Sequence, residues 1–438
     1  MKYAFLLFYL WIASTGFAQQ YLTLHDAKTI LAEHSSAIKQ SQLQEKIAKV
    51  NLSQTYYNLL PNLAWSVNNQ NTMGLNFDQI TGQLVTGNQW ANYGTTTVSS
   101  GVTLFQGFRQ INSINAGKIN VDIAKLDTEK LQQELQLQLL ALFFQTLING
   151  DLYQASQAQT LLSEQLLKNE ETKVEVGKGT LVDLAQAQNK LANDRLNVTN
   201  SRNAYELSLL KLKQLLELDE HSEIKLIPPQ ATDSQTGASQ LLYDKIWKDD
   251  PYLRWIDLRL DLAGIDTKLA QSGYYPTLSL SSSYGTNFSS RRYMSLSDKT
   301  MPMADQLNQN RSLYINVSLS YAIFDKFTTR SNVKKSILNR QNLEFEKEKI
   351  MRQRVQGWEQ SKLEYQAAQE EVKAIQATYE ANKINYHALR ERYEVGKSSS
   401  IDVYKAMTDY NVAEFRTITS KYTLLYKEEV LKLLQKVL

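Results

Sequence analysis

Residues 392–406 read RYEVGKSSSIDVYKA, and residues 173–187 read KVEVGKGTLVDLAQA. Alone, the Gly-Lys-Ser of the first stretch suggests the end of a phosphate-binding loop. That loop needs an earlier glycine and an approach from a strand. Glu391 and Thr172 stand where the earlier glycines belong, and long proline-free helical patterns lead into both stretches. A helix-ending glycine followed by a new helix start accounts for each stretch better. Thr180-Leu-Val-Asp183 and Ser399-Ser-Ile-Asp402 have the spacing of capping boxes, with the acid at the third helical position.

The two stretches lie 219 residues apart, and the same offset carries Val98–Phe105 onto Val317–Phe324. Nearer the start, Ser36–Leu63 aligns with Pro251–Leu278 at an offset of 215, matching Ala48 to Ala263 and Pro61 to Pro276. The slippage of four falls between Leu63 and Val98, where a variable loop belongs. The chain is a tandem duplication. It divides into a first repeat over 19–218, a polar linker over 219–240 containing Pro228-Pro229, and a second repeat over 241–438.

Each repeat has the order helix, strand, loop, strand, very long helix, glycine tip, helix. The strands are predicted near 62–69, 97–106, 277–285 and 312–324, and the tips near 176–182 and 395–401. Leu313, Ile315, Val317 and Leu319 alternate with Tyr314, Asn316, Ser318 and Ser320; Leu63, Trp65 and Val67 alternate with Ala64, Ser66 and Asn68. Val98, Val102 and Leu104 alternate with small or hydroxyl residues. One apolar and one small polar face suits a barrel strand between lipid and water, and equally a sandwich strand with one solvated face.

Arg109–Glu175 and Thr328–Glu394 are each 67 residues without proline, enough for helices of about 100 Å. Trp358, Tyr365, Val372, Tyr379, Tyr386 and Tyr393 recur at seven-residue intervals, as do Leu139, Thr146, Tyr153, Thr160, Leu167 and Val174. That period predicts a coiled-coil seam. In each half, two shorter helices are long enough together to lie end to end along the long one.

Composition narrows the function. The 438 residues carry a formal net charge of +3, which makes no case for nucleic acid. With zero cysteines there is no disulfide framework, thiolate metal site or lipid-modified cysteine. The four histidines are scattered without metal-ligand spacing and no carboxylate pair stands out, so no cofactor and no enzymatic activity are expected. Residues 1–18 have the basic, apolar and small-residue order of a signal peptide. No run of about 18 apolar residues follows. Four strands cannot close a barrel in lipid, so membrane strands here require several chains.

The ordered, doubled set of features resembles the TolC family of outer-membrane efflux and secretion ducts over essentially the whole mature chain. The resemblance rests on Leu22-Thr-Leu-His-Asp-Ala27, the Leu-Pro and Tyr-Pro signals before the strands, Leu104-Phe105-Gln106-Gly107, Ile323-Phe324-Asp325, and the Val-Gly tips followed by an aspartate. It implies a homotrimer in the outer membrane, with a twelve-stranded barrel on a helical periplasmic tunnel. Such a duct passively passes small molecules or proteins from a tripartite efflux or type I secretion system, working with a periplasmic adaptor and an inner-membrane transporter. It further implies that Asp402 forms a charged constriction and that Asp183 ties the closed tip to Tyr393. Lys405 stands where a second acid is common, and Ser398 where an arginine completes a further tie. Val176, Gly177, Lys178, Val395, Gly396 and Lys397 match the adaptor-docking tips. Capping alone remains the other reading of the two aspartates. A periplasmic coiled-coil adaptor without a pore is the alternative for the whole chain.

Overall fold

The computed structural model describes residues 20–85, 87, 90–229, 250–294 and 299–436. The expected signal segment and the second half of the expected linker lie outside the described residues. The chain is mainly helical and divides into two units. One holds the residues up to Gln42, Leu126–Arg254 and Glu348 onward; the other holds Leu43–Lys125 and Trp255–Lys347.

The second of these units is built on a four-stranded antiparallel sheet in the order β2-β5-β7-β8. Its strands are β2 (Asn62–Met73), β5 (Trp90–Gln106), β7 (Thr277–Ser289) and β8 (Ser312–Ser320). Each repeat supplies a pair, and β5 against β7 joins the repeats. Directly opposed residues share a sheet face. The register sets Trp65 opposite Val98, Val98 opposite Tyr284, and Tyr284 opposite Leu313. It likewise sets Val102 opposite Leu280 and Leu280 opposite Val317. The alternation seen strand by strand therefore merges into one mainly apolar face, with Ser100 and Ser282 set between Leu63 and Ile315. That face is bare: Leu63 is 79% exposed, Trp65 74% and Leu319 70%.

Three details depart from the sequence reading. A bulge between Thr103 and Phe105 sets Phe105, rather than Leu104, opposite Leu278. β8 stops at Ser320 instead of continuing to 324, because its partner β7 begins at Thr277, just after Pro276. The segment beyond carries exposed Tyr321, Ile323 and Phe324 into a left-handed turn at Lys326 and Phe327. The loops also hold unforeseen structure, a hairpin of β3 (Asn76–Asp78) with β4 (Gln83–Val85) and a short helix at Met303–Gln309. Asp78 pins them, accepting the Ile80 amide at 2.8 Å and the Ser289 hydroxyl at 2.6 Å, while the Gln306 side chain bonds the Ser289 backbone.

Among the described residues the α-helices are α1 (Leu24–His34), α2 (Ser36–Tyr57), α3 (Arg109–Glu175), α4 (Leu181–Leu216), α5 (Pro251–Gln271), α6 (Met303–Gln309), α7 (Thr328–Glu394) and α8 (Ser400–Lys436). The other unit contains α1, most of α3, α4, the later part of α7 and all of α8. The two long helices have the bounds read from the sequence, 67 residues each. Seam residues Leu139, Thr146 and Tyr386 are buried, and Tyr153, Tyr365, Tyr379 and Tyr393 are half-buried. Tyr386 stacks on Tyr410 with ring centroids 5.7 Å apart. A parallel strand pair, β1 (Gln20–Leu22) with β6 (Ile224–Leu226), packs Leu22 and Ile224 into a core with Phe143, Leu212 and Tyr422. β6 lies inside the segment read as linker.

A polar lock interrupts the seam. Asp194 of α4, 1% exposed, accepts Gln159 at 2.8 Å, Lys190 at 2.6 Å and the Ser163 hydroxyl. Elsewhere the seam depends on ring packing. Tyr386→Ala should therefore cost about 3–5 kcal/mol, in the range for truncating a large buried aromatic. Tyr386→Phe, which keeps the ring, should stay within about 1 kcal/mol of the parent. Melting followed by circular dichroism compares the two.

Candidate functional site

Both tips are built by the same local chemistry. Gly177 and Gly396 have φ of +72° and +74°, the left-handed conformation that ends a helix at low cost for glycine. The Gly177 amide donates to the Val174 carbonyl and the Lys178 amide to the Lys173 carbonyl, at 3.0 and 2.8 Å. Gly396 to Tyr393 and Lys397 to Arg392 repeat the pair at 2.9 and 2.7 Å. These are Schellman closures. The amides that a phosphate loop would aim at its ligand are thus spent on the helix ends.

The returning helices start on the two aspartates. Ser399 and Asp402 exchange reciprocal bonds, with the Ser399 amide donating to Oδ2 at 3.3 Å and the Asp402 amide to Ser399 Oγ at 3.2 Å. Asp402 is exposed, and the Ser399 hydroxyl and amide hold its carboxyl below the ordinary range, with Lys405 a minor contributor. Asp183 does more than cap. Its Oδ2 accepts the Thr180 hydroxyl at 2.6 Å, and its Oδ1 accepts the hydroxyl of Ser400, at the start of α8. One carboxylate therefore serves both repeats. Ser400, first among its influences, lowers its pKa below 3.8.

Tyr393 takes a different partner from the one the resemblance implies. Its hydroxyl donates to Glu170 Oε1 at 2.9 Å rather than to Asp183. Glu170 is 2% exposed and also receives Lys173 at 2.9 Å. The Lys173 ammonium in turn lies 3.8 Å from the centre of the Tyr393 ring, a cation–π geometry. Burial, then Glu170, drive the Tyr393 pKa upward. Beneath this network Leu166, Tyr386, Val403, Ala406 and Met407 form an apolar plug. Val176 and Val395 are exposed at 61% and 67%, as are Lys178 and Lys397.

Glu170 and Ser400 were missed by reading motifs. Glu170 lies three residues after seam position Leu167, as Ser163 lies three after Thr160. These are the second seam positions of the heptad, where an acid is out of place unless paired.

Because the Asp183 pKa is depressed on folding, its contribution is present above the unfolded-state value and is lost as the pH falls through the folded-state value. Amides of the first tip should accordingly stay protected at neutral pH and lose protection below about pH 4. Ser400→Ala removes the largest lowering influence and should move that loss to higher pH. Hydrogen exchange, corrected for its intrinsic pH dependence, measures both.

Comparison with known proteins agrees with this architecture. No curated protein matches the sequence. Among solved structures, the outer membrane protein VceC of Vibrio cholerae superposes with a TM-score of 0.79 at 13% identity, over 94% of this chain and 96% of that one. The CmeC outer membrane channel of Campylobacter jejuni gives 0.81 at 16%, over 94% and 85%. The open state of the MtrE outer membrane channel of Neisseria gonorrhoeae gives 0.72 at 15%, over 94% and 88%. At such identities the likeness speaks for the fold. The family model for outer membrane efflux protein matches residues 28–217 and 242–434, one stretch for each repeat. Nothing in these matches favours the adaptor without a pore. The chain belongs to the outer membrane efflux protein family.

Proposed function

We propose that the protein is a passive duct across the outer membrane, closed by homotrimerisation and gated at its periplasmic tips. The observation that carries the proposal is the sheet: among the described residues it has four strands, one exposed and mainly apolar face, and two edge strands, β2 and β8, that pair on one side only. In lipid each edge amide and carbonyl needs a partner. Three copies of the four-stranded sheet supply twelve strands, more than the roughly eight that closure requires. The apolar face then meets lipid, and Ser279, Ser281, Asn316 and Ser318 line the lumen.

At the tips, the bonds of Ser400 to Asp183 and of Tyr393 to Glu170 hold the two hairpins of a chain together, and releasing them opens the duct. Asp402, repeated by the trimer, places like charges around the constriction and favours cations. Lys405, one turn on, weakens that preference. The exposed tips Val176-Gly177-Lys178 and Val395-Gly396-Lys397 receive a periplasmic adaptor, which couples the duct to an inner-membrane transporter. Energy comes from that transporter. CmeC and MtrE, described as outer membrane channels, support the reading.

Two experiments test it. Val317→Lys puts a charge on the lipid face at a cost of about 2–4 kcal/mol near the bilayer midplane, and should abolish outer-membrane assembly. Ser318→Lys, on the opposite face, should assemble. Equal assembly of the two would remove the lipid assignment. In planar bilayers Asp402→Ala should lower the cation preference of an intact trimer; unchanged selectivity would leave Asp402 with its capping role alone.

A further inference from the structure

One charged surface in the unit of the sheet is used by nothing described above. The chain leaves β8 at Ser320 and exposes Tyr321, Ile323, Phe324 and Phe327, with Ile323 bare at 92%. Phe324 and Phe327 meet edge to face, 5.5 Å between centroids. Beside and after them come Lys326, in the turn, and Arg330, Lys334 and Lys335, on about 8 Å of the first turns of α7, all exposed. No acid occurs between Asp325 and Glu344. Asp325 itself is engaged, since its carboxylate accepts the Thr329 amide at 2.7 Å. The ion pairs of α7 in this unit involve later residues: Arg340–Glu344, Arg259–Glu346 and Lys347–Asp257.

Two arguments set this segment apart from an ordinary solvated face. The first turn of α7 has no acidic residue, so Asp325, just before the helix, is the one carboxylate set against four cations at the positive end of the helix. The first repeat, moreover, makes the same junction without them. Phe108 and Phe327 correspond and share left-handed φ values of 60° and 61°. Yet Gly107, Ile111, Asn115 and Ala116 occupy the places of the four cations. The junction does not require cations at those four places; the first repeat's cation at this junction, Arg109, donates instead to the Leu269 carbonyl at 3.3 Å.

We propose that Lys326, Arg330, Lys334 and Lys335 bind the anionic headgroups of phospholipids in the periplasmic leaflet of the outer membrane, with Phe324 and Phe327 seated at headgroup level. The proposal rests on the membrane-duct reading. Its occupant follows from continuity, since the exposed apolar segment extends the lipid-facing sheet into the cations. Basic clusters next to a membrane-embedded segment attract anionic lipid, and aromatic rings favour the interface between lipid and water.

The test uses the full-length protein, extracted in neutral detergent and titrated with short-chain phosphatidylglycerol or phosphatidylcholine, retained lipids being counted by native mass spectrometry. The parent should retain phosphatidylglycerol in preference by about tenfold or more at low salt, and the preference should fall as salt rises. The variant K326Q/R330Q/K334Q/K335Q should lose it while keeping its oligomeric state. A parent with equal retention of the two lipids, or a variant that keeps the preference, would overturn the proposal. So would a variant that falls apart in both lipids, which would assign the cations to acids of a neighbouring subunit. Planar-bilayer conductance of the parent preparation reports separately on the duct reading, so loss of one leaves the other to be judged by itself.

Discussion

The structure depends on an unmet requirement of the backbone. Among the described residues β2 and β8 each present an unpaired edge, and the face they share with β5 and β7 is mainly apolar and exposed. In water such a sheet would be an aggregation site. In a bilayer it is unfinished until other strands complete the ladder. The duplication follows from the same requirement: two strand pairs join through β5 and β7, and identical copies can continue the ladder at both ends. In the proposed trimer, assembly, insertion and pore formation become one event.

The long helices answer to a different force. Their seven-residue stripe buries rings and aliphatic chains, yet polar groups are set into it at chosen points, Asp194 with Ser163 and Gln159 along α3 and α4, and Glu170 with Tyr393 and Lys173 near the tip. A buried polar group left without its partner costs far more than a paired one gains. Such points fix the register of neighbouring helices, and in the proposed gate those at the tip make closure sensitive to whatever competes for their hydrogen bonds. Asp183 belongs with them because its two oxygens serve helix starts in both repeats.

Much of this was readable from the residues. The equal helices, with bounds Arg109–Glu175 and Thr328–Glu394, followed from proline-free length and a shared offset, and the strand faces followed from alternation. What escaped depends on partners distant in the chain. β6 forms only because Gln20–Leu22 lies beside it, over two hundred residues away in sequence. The bulge at Phe105 is set by the β7 register. Tyr393 meets Glu170 across 223 residues. The sign left in the sequence was an acid at a seam position, which reads as a defect until its partner is known. The capping boxes, being local, were readable in full, whereas the added bond from Ser400 to Asp183 was not.

Because the chain has no cysteine, its two open edges can be probed cleanly. Single cysteines placed along β2 and along β8 of the same chain, oxidised in isolated outer membranes, measure whether the edges of different copies meet. Completion of the barrel by neighbouring subunits predicts disulfides between chains at one register, with a covalent three-chain species as the end product. Absence of cross-chain disulfides at every register, or a product that stops at two chains, would contradict it.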